Sequence, residues 1–69
     1  MSTAIEYQRG EIVIVQPSDS DDPMAIEWQG RQCRVELHAH GYVYNYVRVR
    51  DVESGHRATF RERDVRRGL

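Results

Sequence analysis

Residues 32–38 alternate polar and apolar side chains, and this pattern constrains the fold more than any other feature of the sequence. Cys33, Val35 and Leu37 fall on one side of an extended chain, and polar residues fall on the other side. Because one face is apolar and the other polar, the pattern predicts a half-buried strand of an antiparallel sheet. No segment shows an apolar stripe with the 3.6-residue period of a helix. We therefore predict an all-β fold with no α-helix of note.

Two prolines mark where the first strand and the loop after it end. A β-branched run at residues 11–15 is followed by Pro17, which cannot donate to a sheet ladder. Residues 18–23 are polar and acidic, and they end in a proline. We therefore predict a long exposed acidic loop after the first strand. A turn at residues 39–41 is expected to end the second strand.

The second half of the chain predicts a long hairpin and a short closing strand. Residues 42–51 form the longest strand, and Gly55 suits the left-handed position of the turn that leads to a strand at residues 57–61. Residues 62–64 predict a 3₁₀ turn, and a brief last strand begins at Val65. The inward-facing residues of the predicted strands are Val13, Val15, Cys33, Val35, Leu37, Val47, Val49, Ala58 and Phe60.

The size and composition of the chain limit its architecture. Its 69 residues allow one domain near the lower size limit for a self-sufficient core. Cys33 is the one cysteine, so no intramolecular disulfide can form, and we expect a reducing, cytoplasmic setting. No apolar run approaches the roughly 20 residues that span a bilayer, so we expect no membrane partner. We predict a single domain over residues 1–69, with residues 1–8 as a flexible N-terminal segment.

The charged residues are unevenly distributed along the chain, and all ten cationic side chains are arginine. Residues 1–33 carry two arginines and six carboxylates, whereas residues 34–69 carry eight arginines and five carboxylates. Either a GC-rich genome replaced lysine codons, or arginine was selected because its planar guanidinium pairs with phosphate and carboxylate and stacks on rings. The net charge of −1 argues against a nucleic-acid partner.

The order of these motifs resembles that of SH3-like small β-barrels with a KOW-type strand pattern. Residues 10–15, Gly-Glu-Ile-Val-Ile-Val, are similar to the Gly-Asp-x-Val-x-Val opening strand of that fold. Residues 30–35 resemble its second-strand pattern, and residues 62–65, Glu-Arg-Asp-Val, resemble its Glu-x-Asp-Leu link. The resemblance covers residues 10–65. It implies a five-stranded SH3-like barrel with a long acidic loop after the first strand and a 3₁₀ turn before the last, but no particular function.

Two narrower groups with this fold match less well. A signalling-type SH3 domain would carry an Ala-Leu-Tyr-Asp-Tyr strand and paired tryptophans at its third strand, whereas Trp28 precedes the second strand here. Residues 28–30, Trp-Gln-Gly, resemble the trimethoprim-insensitive small-barrel dihydrofolate reductases, but residues 58–61 do not match the Val-Gln-x-Tyr motif of those enzymes. An oligomeric enzyme of that type is kept as a remote alternative, and we expect no catalytic residue and no cofactor.

The most suggestive surface feature is an aromatic and basic stripe on the longest predicted strand. Alternation places Val43, Val47 and Val49 on one face of this strand. Three explanations of the opposite face stay open: strand-forming tyrosines that cover an outer wall, a protein interface rich in tyrosine and arginine, or a surface for single-stranded nucleic acid. The stripe on that face consists of Tyr42, Tyr44, Tyr46, Arg48 and Arg50.

The leading hypothesis is a small non-enzymatic binding module, an adaptor or regulatory subunit that docks on another protein. Its expected partner-binding residues are Trp28, Tyr42, Tyr44, Tyr46, Arg48 and Arg50. The alternative is a KOW-like nucleic-acid-binding protein that uses Arg34, Tyr44, Arg48 and Arg50. A homo-oligomer is a further option, because Ile12 and Ile14 fall outside the core phase and either pack under neighbouring segments or form an interface.

A metal site is the last possibility that the residue types raise. His38 and His40 alternate on one strand face, which is acceptable ligand geometry, but Cys33 falls in the opposite phase. A closed site would need further ligands that the sequence does not identify. We therefore predict a pair of turn-region histidines and a buried structural thiol, with neither a metal centre nor a cysteine nucleophile.

Overall fold

Five antiparallel strands and a single 3₁₀ turn make up most of the described part of the chain. The computed structural model describes residues 6–17 and 22–68. The all-β class and the 3₁₀ turn before the last strand, both predicted from the sequence, are confirmed. The elements in chain order are β1 (Ile12–Val15), α1 (Pro23–Glu27), β2 (Gln32–His40), β3 (Asn45–Asp51), β4 (Arg57–Arg61), the 3₁₀ turn (Glu62–Asp64) and β5 (Val65–Arg67).

The strands form one sheet in the order β4-β3-β2-β1-β5. Strands β2, β3 and β4 follow one another as an antiparallel meander, and β1 pairs with both β2 and β5. The sheet is not closed, so β4 and β5 are its two edges. Of the predicted acidic loop, residues 18–21 lie outside the described residues.

The β3–β4 hairpin forms where the sequence predicts it. Its turn is held by the N–H of Asp51, which donates to the carbonyl of His56 at 2.7 Å, and by the N–H of Gly55, which donates back to Asp51 at 2.9 Å. Gly55 has a φ of 79°, a conformation that side chains with a Cβ rarely adopt. The turn sets a register in which Val47 lies opposite Phe60.

The core lies on one face of the sheet and is closed by an aromatic pair. The ring of Trp28 packs edge-to-face on Phe60 with 5.6 Å between centroids. The residues predicted to face inward are buried with three exceptions: Ala58 is half-buried and packs against the core, and Leu37 and Val43 are exposed. The buried core residues are Tyr7, Val13, Val15, Ala25, Trp28, Cys33, Val35, Val47, Val49, Phe60 and Val65.

The prediction that Leu37 faces the core is wrong because β2 contains a β-bulge. Val35 pairs with Val49, but the next paired residue, Leu37, lies opposite Arg48, so Glu36 is the extra residue. The bulge inverts the phase of β2, since an inserted residue moves every later side chain to the other face. Leu37 is therefore 42% exposed. The side chain of His38 points inward instead and is only 4% exposed.

The connection between β2 and β3 also differs from the prediction. β2 continues to His40 and β3 begins only at Asn45, so Tyr42 and Tyr44 lie in the connection and not in the strand. The N–H of Gly41 donates to the carbonyl of Tyr44 at 3.1 Å. A Cβ at Gly41 would come within 2.6 Å of that oxygen, so the close turn requires glycine. Val43, predicted on the inner face, is 90% exposed at the tip.

A one-turn helix, α1, precedes β2, although no helix of note was predicted. The carboxylate of Asp22 caps it by accepting the N–H of Met24 at 3.0 Å, and Pro23 occupies the first turn. Ala25 is the one core residue that α1 contributes. Among the described residues, no helix has the length and apolar character needed to cross a membrane.

Tyr7 anchors the chain ahead of β1. Its hydroxyl donates to the carbonyl of Val65 at 3.3 Å, and its backbone N–H donates to Nδ1 of His38 at 3.1 Å. The guanidinium of Arg67 lies 5.3 Å from the centre of the tyrosine ring. These contacts connect Tyr7 to β2 and β5. Residues 1–5 lie outside the described part of the chain.

The two isoleucines of β1 are half-buried on the outer side of the sheet. Gly68 covers Ile12: its N–H donates to the Ile12 carbonyl at 3.0 Å. A Cβ at Gly68 would come within 2.9 Å of Ile12 Cγ2. Ile14 lies between Gln32 and Arg66 in the pairing register. The segment after β5 thus covers Ile12, one of the two isoleucines whose packing the sequence left undecided.

Candidate binding surfaces

The predicted aromatic and basic stripe divides into two separate surfaces. Tyr46, Arg48 and Arg50 alternate with buried residues along β3 and face outward. Tyr42 and Tyr44 lie in the β2–β3 connection, where strand alternation does not orient them. Tyr44 turns toward the end of β4, whereas Arg48 and Arg50 lie among arginines of β2 and β4.

The first surface is an open cleft of about 430 Å³ beside Tyr44, which we call the tyrosine cleft. The guanidinium of Arg61 lies 5.0 Å from the centre of the Tyr44 ring, in a cation–π contact. A second hollow, of about 310 Å³, adjoins the same two residues on the side of Tyr46. The residues that line the tyrosine cleft are Val43, Tyr44, Asn45, Arg61, Glu62 and Arg63.

The tip of the β2–β3 connection projects next to the tyrosine cleft. Tyr42 is fully exposed, Val43 is 90% exposed and Tyr44 is 49% exposed. Three successive large apolar or aromatic side chains thus meet solvent at one point of the molecule. Exposed apolar residues are normal when scattered, but a contiguous group indicates a contact surface.

The second surface is the outer face of β2, β3 and β4, where arginines of three neighbouring strands lie side by side. Arg34 is the direct partner of Arg50 in the pairing register, and Arg50 is the direct partner of Arg57. Two adjoining hollows on this face are both lined by Arg9, Arg34 and Arg57. We call this group the arginine face, and it consists of Arg9, Arg34, Arg48, Arg50 and Arg57 around Glu36.

Glu36 pairs with two of these arginines at once. One carboxylate oxygen lies 3.2 Å from Nε of Arg50, and the other lies 3.3 Å from Nε of Arg57. The carboxylate is about one-quarter exposed, whereas both arginine side chains are more exposed. The bulge therefore places the Glu36 carboxylate between the side chains of β3 and β4. Asp51 and Glu53 also line one of the two hollows, at the hairpin turn.

Trp28, predicted to contact a partner, lies in the core and is 4% exposed. The guanidinium of Arg31 lies 5.0 Å from its ring centre, and Phe60 packs against the ring. The ring is therefore part of the packing and is not available at the surface. Neither sequence neighbour of Trp28 lines the tyrosine cleft or the arginine face.

His38 and His40 lie in β2 and not in a turn as predicted, whereas the Cys33 thiol is buried as predicted. The imidazole of His38 is bonded on both nitrogens, to the Tyr7 N–H and to Glu62, and its centroid lies 5.2 Å from that of His40. Burial, with a smaller contribution from Asp51, raises the pKa of the Cys33 thiol to about 11. Residues 6–17 and 22–68 contain no group of three or more potential metal ligands.

The binding residues expected from the sequence do not include Arg9, Arg57, Arg61 or Glu36. The positions of Arg57 and Arg61 can be derived from the predicted β3–β4 hairpin. Once the turn is centred between residues 53 and 54, simple counting places Arg57 beside Arg50 and Arg61 beside Tyr46, as the register shows. No comparable signal exists for Glu36, because its position depends on the bulge.

Comparisons with known proteins add no family assignment. No family model, no curated protein and no solved structure matches the chain.

Proposed function

We propose that this chain is a small non-enzymatic binding module with the strand arrangement of an SH3-like barrel. Three features support the fold proposal. β1 pairs with both β2 and β5, β2–β4 form a meander, and the 3₁₀ turn Glu62–Asp64 links β4 to β5. The order of these elements agrees with the motif order in the sequence. Since this fold serves many functions, the functional proposal rests on the surface alone.

The module docks on a partner protein through the tyrosine cleft. The observation that carries this proposal is the exposure of Tyr42, Val43 and Tyr44 beside an open cleft. Tyrosine and arginine are enriched at the centres of protein interfaces, because each combines a large contact area with a polar end. The Tyr44–Arg61 stack provides both types of side chain at the wall of the cleft.

The lining of the cleft indicates what the partner must present. Val43 and the Tyr44 ring provide apolar contact, while Arg61, Glu62 and Arg63 give the cleft a charged edge. The matching partner segment is a large apolar side chain flanked by polar groups, because interfaces have an apolar centre and a polar rim. The cleft is open rather than enclosed, which suits a protein segment better than a small substrate.

A pull-down from the native lysate tests this proposal. Tagged wild-type protein, Tyr44→Ala and a matched control, Ile26→Ala, serve as baits. Ile26 is 55% exposed on α1 and does not line the cleft. We expect a specific partner to be retained by the wild-type protein and by Ile26→Ala, and to be lost with Tyr44→Ala. Retention of the same partner by Tyr44→Ala would overturn the proposal, and the fluorescence of Trp28 monitors folding in each bait.

Nucleic-acid binding is the weaker candidate. It is favoured by the arginine face, where Arg34, Arg48 and Arg50 lie together. Tyr44, the ring that would stack on a base, lines the tyrosine cleft, and none of the described residues lines both surfaces. The oligonucleotide titration described below distinguishes this candidate from a protein partner.

A further inference from the structure

We infer that the arginine face is a second docking site, one that binds an aspartate- or glutamate-rich segment of a partner protein. The site is separate from the tyrosine cleft, because the two surfaces share no lining residue within 6–17 and 22–68. Its chemistry is that of several guanidinium groups within reach of one extended acidic chain.

The pairing register sets three arginines opposite one another with one carboxylate, Glu36, paired to two of them. Directly opposed like charges destabilise a pair of strands, and here Arg34, Arg50 and Arg57 are opposed across two successive strand pairs. A sequence under selection for stability alone would place carboxylates or threonines at some of these positions. Local choices that oppose the fold are expected where a surface has a function.

Glu36 shows which ligand chemistry the arginine face accepts. Its two oxygens engage Nε of Arg50 and Nε of Arg57, at 3.2 and 3.3 Å. Each guanidinium also carries two terminal nitrogens that can donate to further acceptors. The terminal guanidinium nitrogens of Arg50 and Arg57, next to the bound Glu36 carboxylate, can therefore donate to carboxylates of a partner. Arg34 and Arg48 extend the row along β2 and β3.

Two observations favour an acidic peptide over a nucleic acid. No aromatic side chain is among the described residues that line the two hollows of this face, and single-stranded nucleic acids rely on stacking with such rings. The net charge of the whole chain is −1, so a long polyanion that runs beyond the face would meet repulsion. A short acidic segment stays within the basic area.

Fluorescence anisotropy with the whole chain tests this inference. Labelled oligoglutamate and single-stranded oligothymidylate of equal charge are titrated at the same low ionic strength, where exposed charges are least screened. We expect oligoglutamate to bind more tightly than oligothymidylate. No binding of oligoglutamate, or tighter binding of oligothymidylate, would overturn the inference, and the second result would establish the nucleic-acid candidate instead.

Single substitutions localise the site. Arg34→Gln and Arg50→Gln are each expected to weaken oligoglutamate binding about tenfold, equivalent to roughly 1.4 kcal/mol. The matched control Arg66→Gln removes the same charge from exposed Arg66 on β5, outside the face, and should change the affinity less than twofold. Equal losses in all three variants would mean that only net charge matters, which contradicts a site. Tyr44→Ala leaves this binding unchanged, so the two surface proposals fail or succeed separately.

Discussion

Nε2 of His38 lies 2.6 Å from a carboxylate oxygen of Glu62, the first residue of the 3₁₀ turn. The other ring nitrogen, Nδ1, accepts the backbone N–H of Tyr7 at 3.1 Å. Because an acceptor nitrogen carries no proton, neutral His38 has its proton on Nε2. This N–H donates a hydrogen bond to the Glu62 carboxylate. One imidazole thus connects the segment before β1, the strand β2 and the turn between β4 and β5.

Replacing His38 with leucine is expected to lower the free energy of unfolding by about 2 kcal/mol. The substitution leaves the Tyr7 N–H and the Glu62 carboxylate without their partner, and unsatisfied groups of this kind cost about 1–3 kcal/mol. Urea denaturation followed by Trp28 fluorescence measures the change. The matched variant His40→Leu, at an exposed position, should be close to the wild-type protein. Equal effects of the two substitutions would contradict this account of His38.

Protonation of the Asp51 carboxylate should lower the free energy of unfolding in acid. The backbone N–H of Glu53 lowers the pKa of the Asp51 carboxyl below 3.8, and Ser54 and Arg31 act in the same direction against desolvation. A lowered folded-state pKa contributes stability that is present above the ordinary value and is lost as the pH falls through the folded value. Asp51→Asn should therefore be less stable than the wild-type protein at neutral pH. The difference should shrink below about pH 4; a difference that is constant with pH would refute the assignment.

The thiol of Cys33 should be unreactive in the folded protein. Burial raises its pKa from 9.0 to about 11, and the nearby Asp51 carboxylate adds to the effect. Since the thiolate is the reactive form, a thiol reagent should label Cys33 rapidly only after unfolding in urea. The raised pKa also means that stability falls as the pH rises above the unfolded-state value, because the unfolded chain loses its thiol proton first. Rapid labelling of the native protein at neutral pH would be inconsistent with this burial.

Paired alanine substitutions test the bulge in β2. Val35 is 1% exposed, so Val35→Ala should cost about 2 kcal/mol of unfolding free energy through lost burial and a cavity. Leu37 is 42% exposed on the other face, and Leu37→Ala should cost less than about 1 kcal/mol. Chemical denaturation of both variants measures these two losses and so tests the register between β2 and β3. A larger loss at Leu37 would mean that β2 continues without a bulge.

Most of the sheet follows from residue patterns, because alternation and glycine turns act locally. The β-branched run of β1, the turn at Gly55 and the 3₁₀ turn at residues 62–64 all form where the sequence predicts them. The bulge at Glu36 could not be predicted, since residues 32–38 alternate without interruption. Its position depends on how β2 meets β3, which is a relationship between distant segments.

The candidate surfaces were predictable only in part, for a similar reason. The outward direction of Tyr46, Arg48 and Arg50 follows from alternation with the buried valines of β3. The separation of Tyr44 from them depends on where β3 begins, and strand ends are poorly defined by composition. The burial of Trp28 depends on its contact with Phe60, which is 32 positions later in the printed sequence.

The open sheet has a consequence for self-association. An edge strand offers backbone groups on which a second chain can build, and such pairing is a route to fibres. Here one edge strand, β4, begins and ends with arginine, and the other, β5, consists of a valine and two arginines. Two molecules that approach edge to edge therefore meet charges of the same sign. Edge-to-edge pairing of two molecules is therefore expected to be disfavoured most at low ionic strength, where this repulsion is least screened.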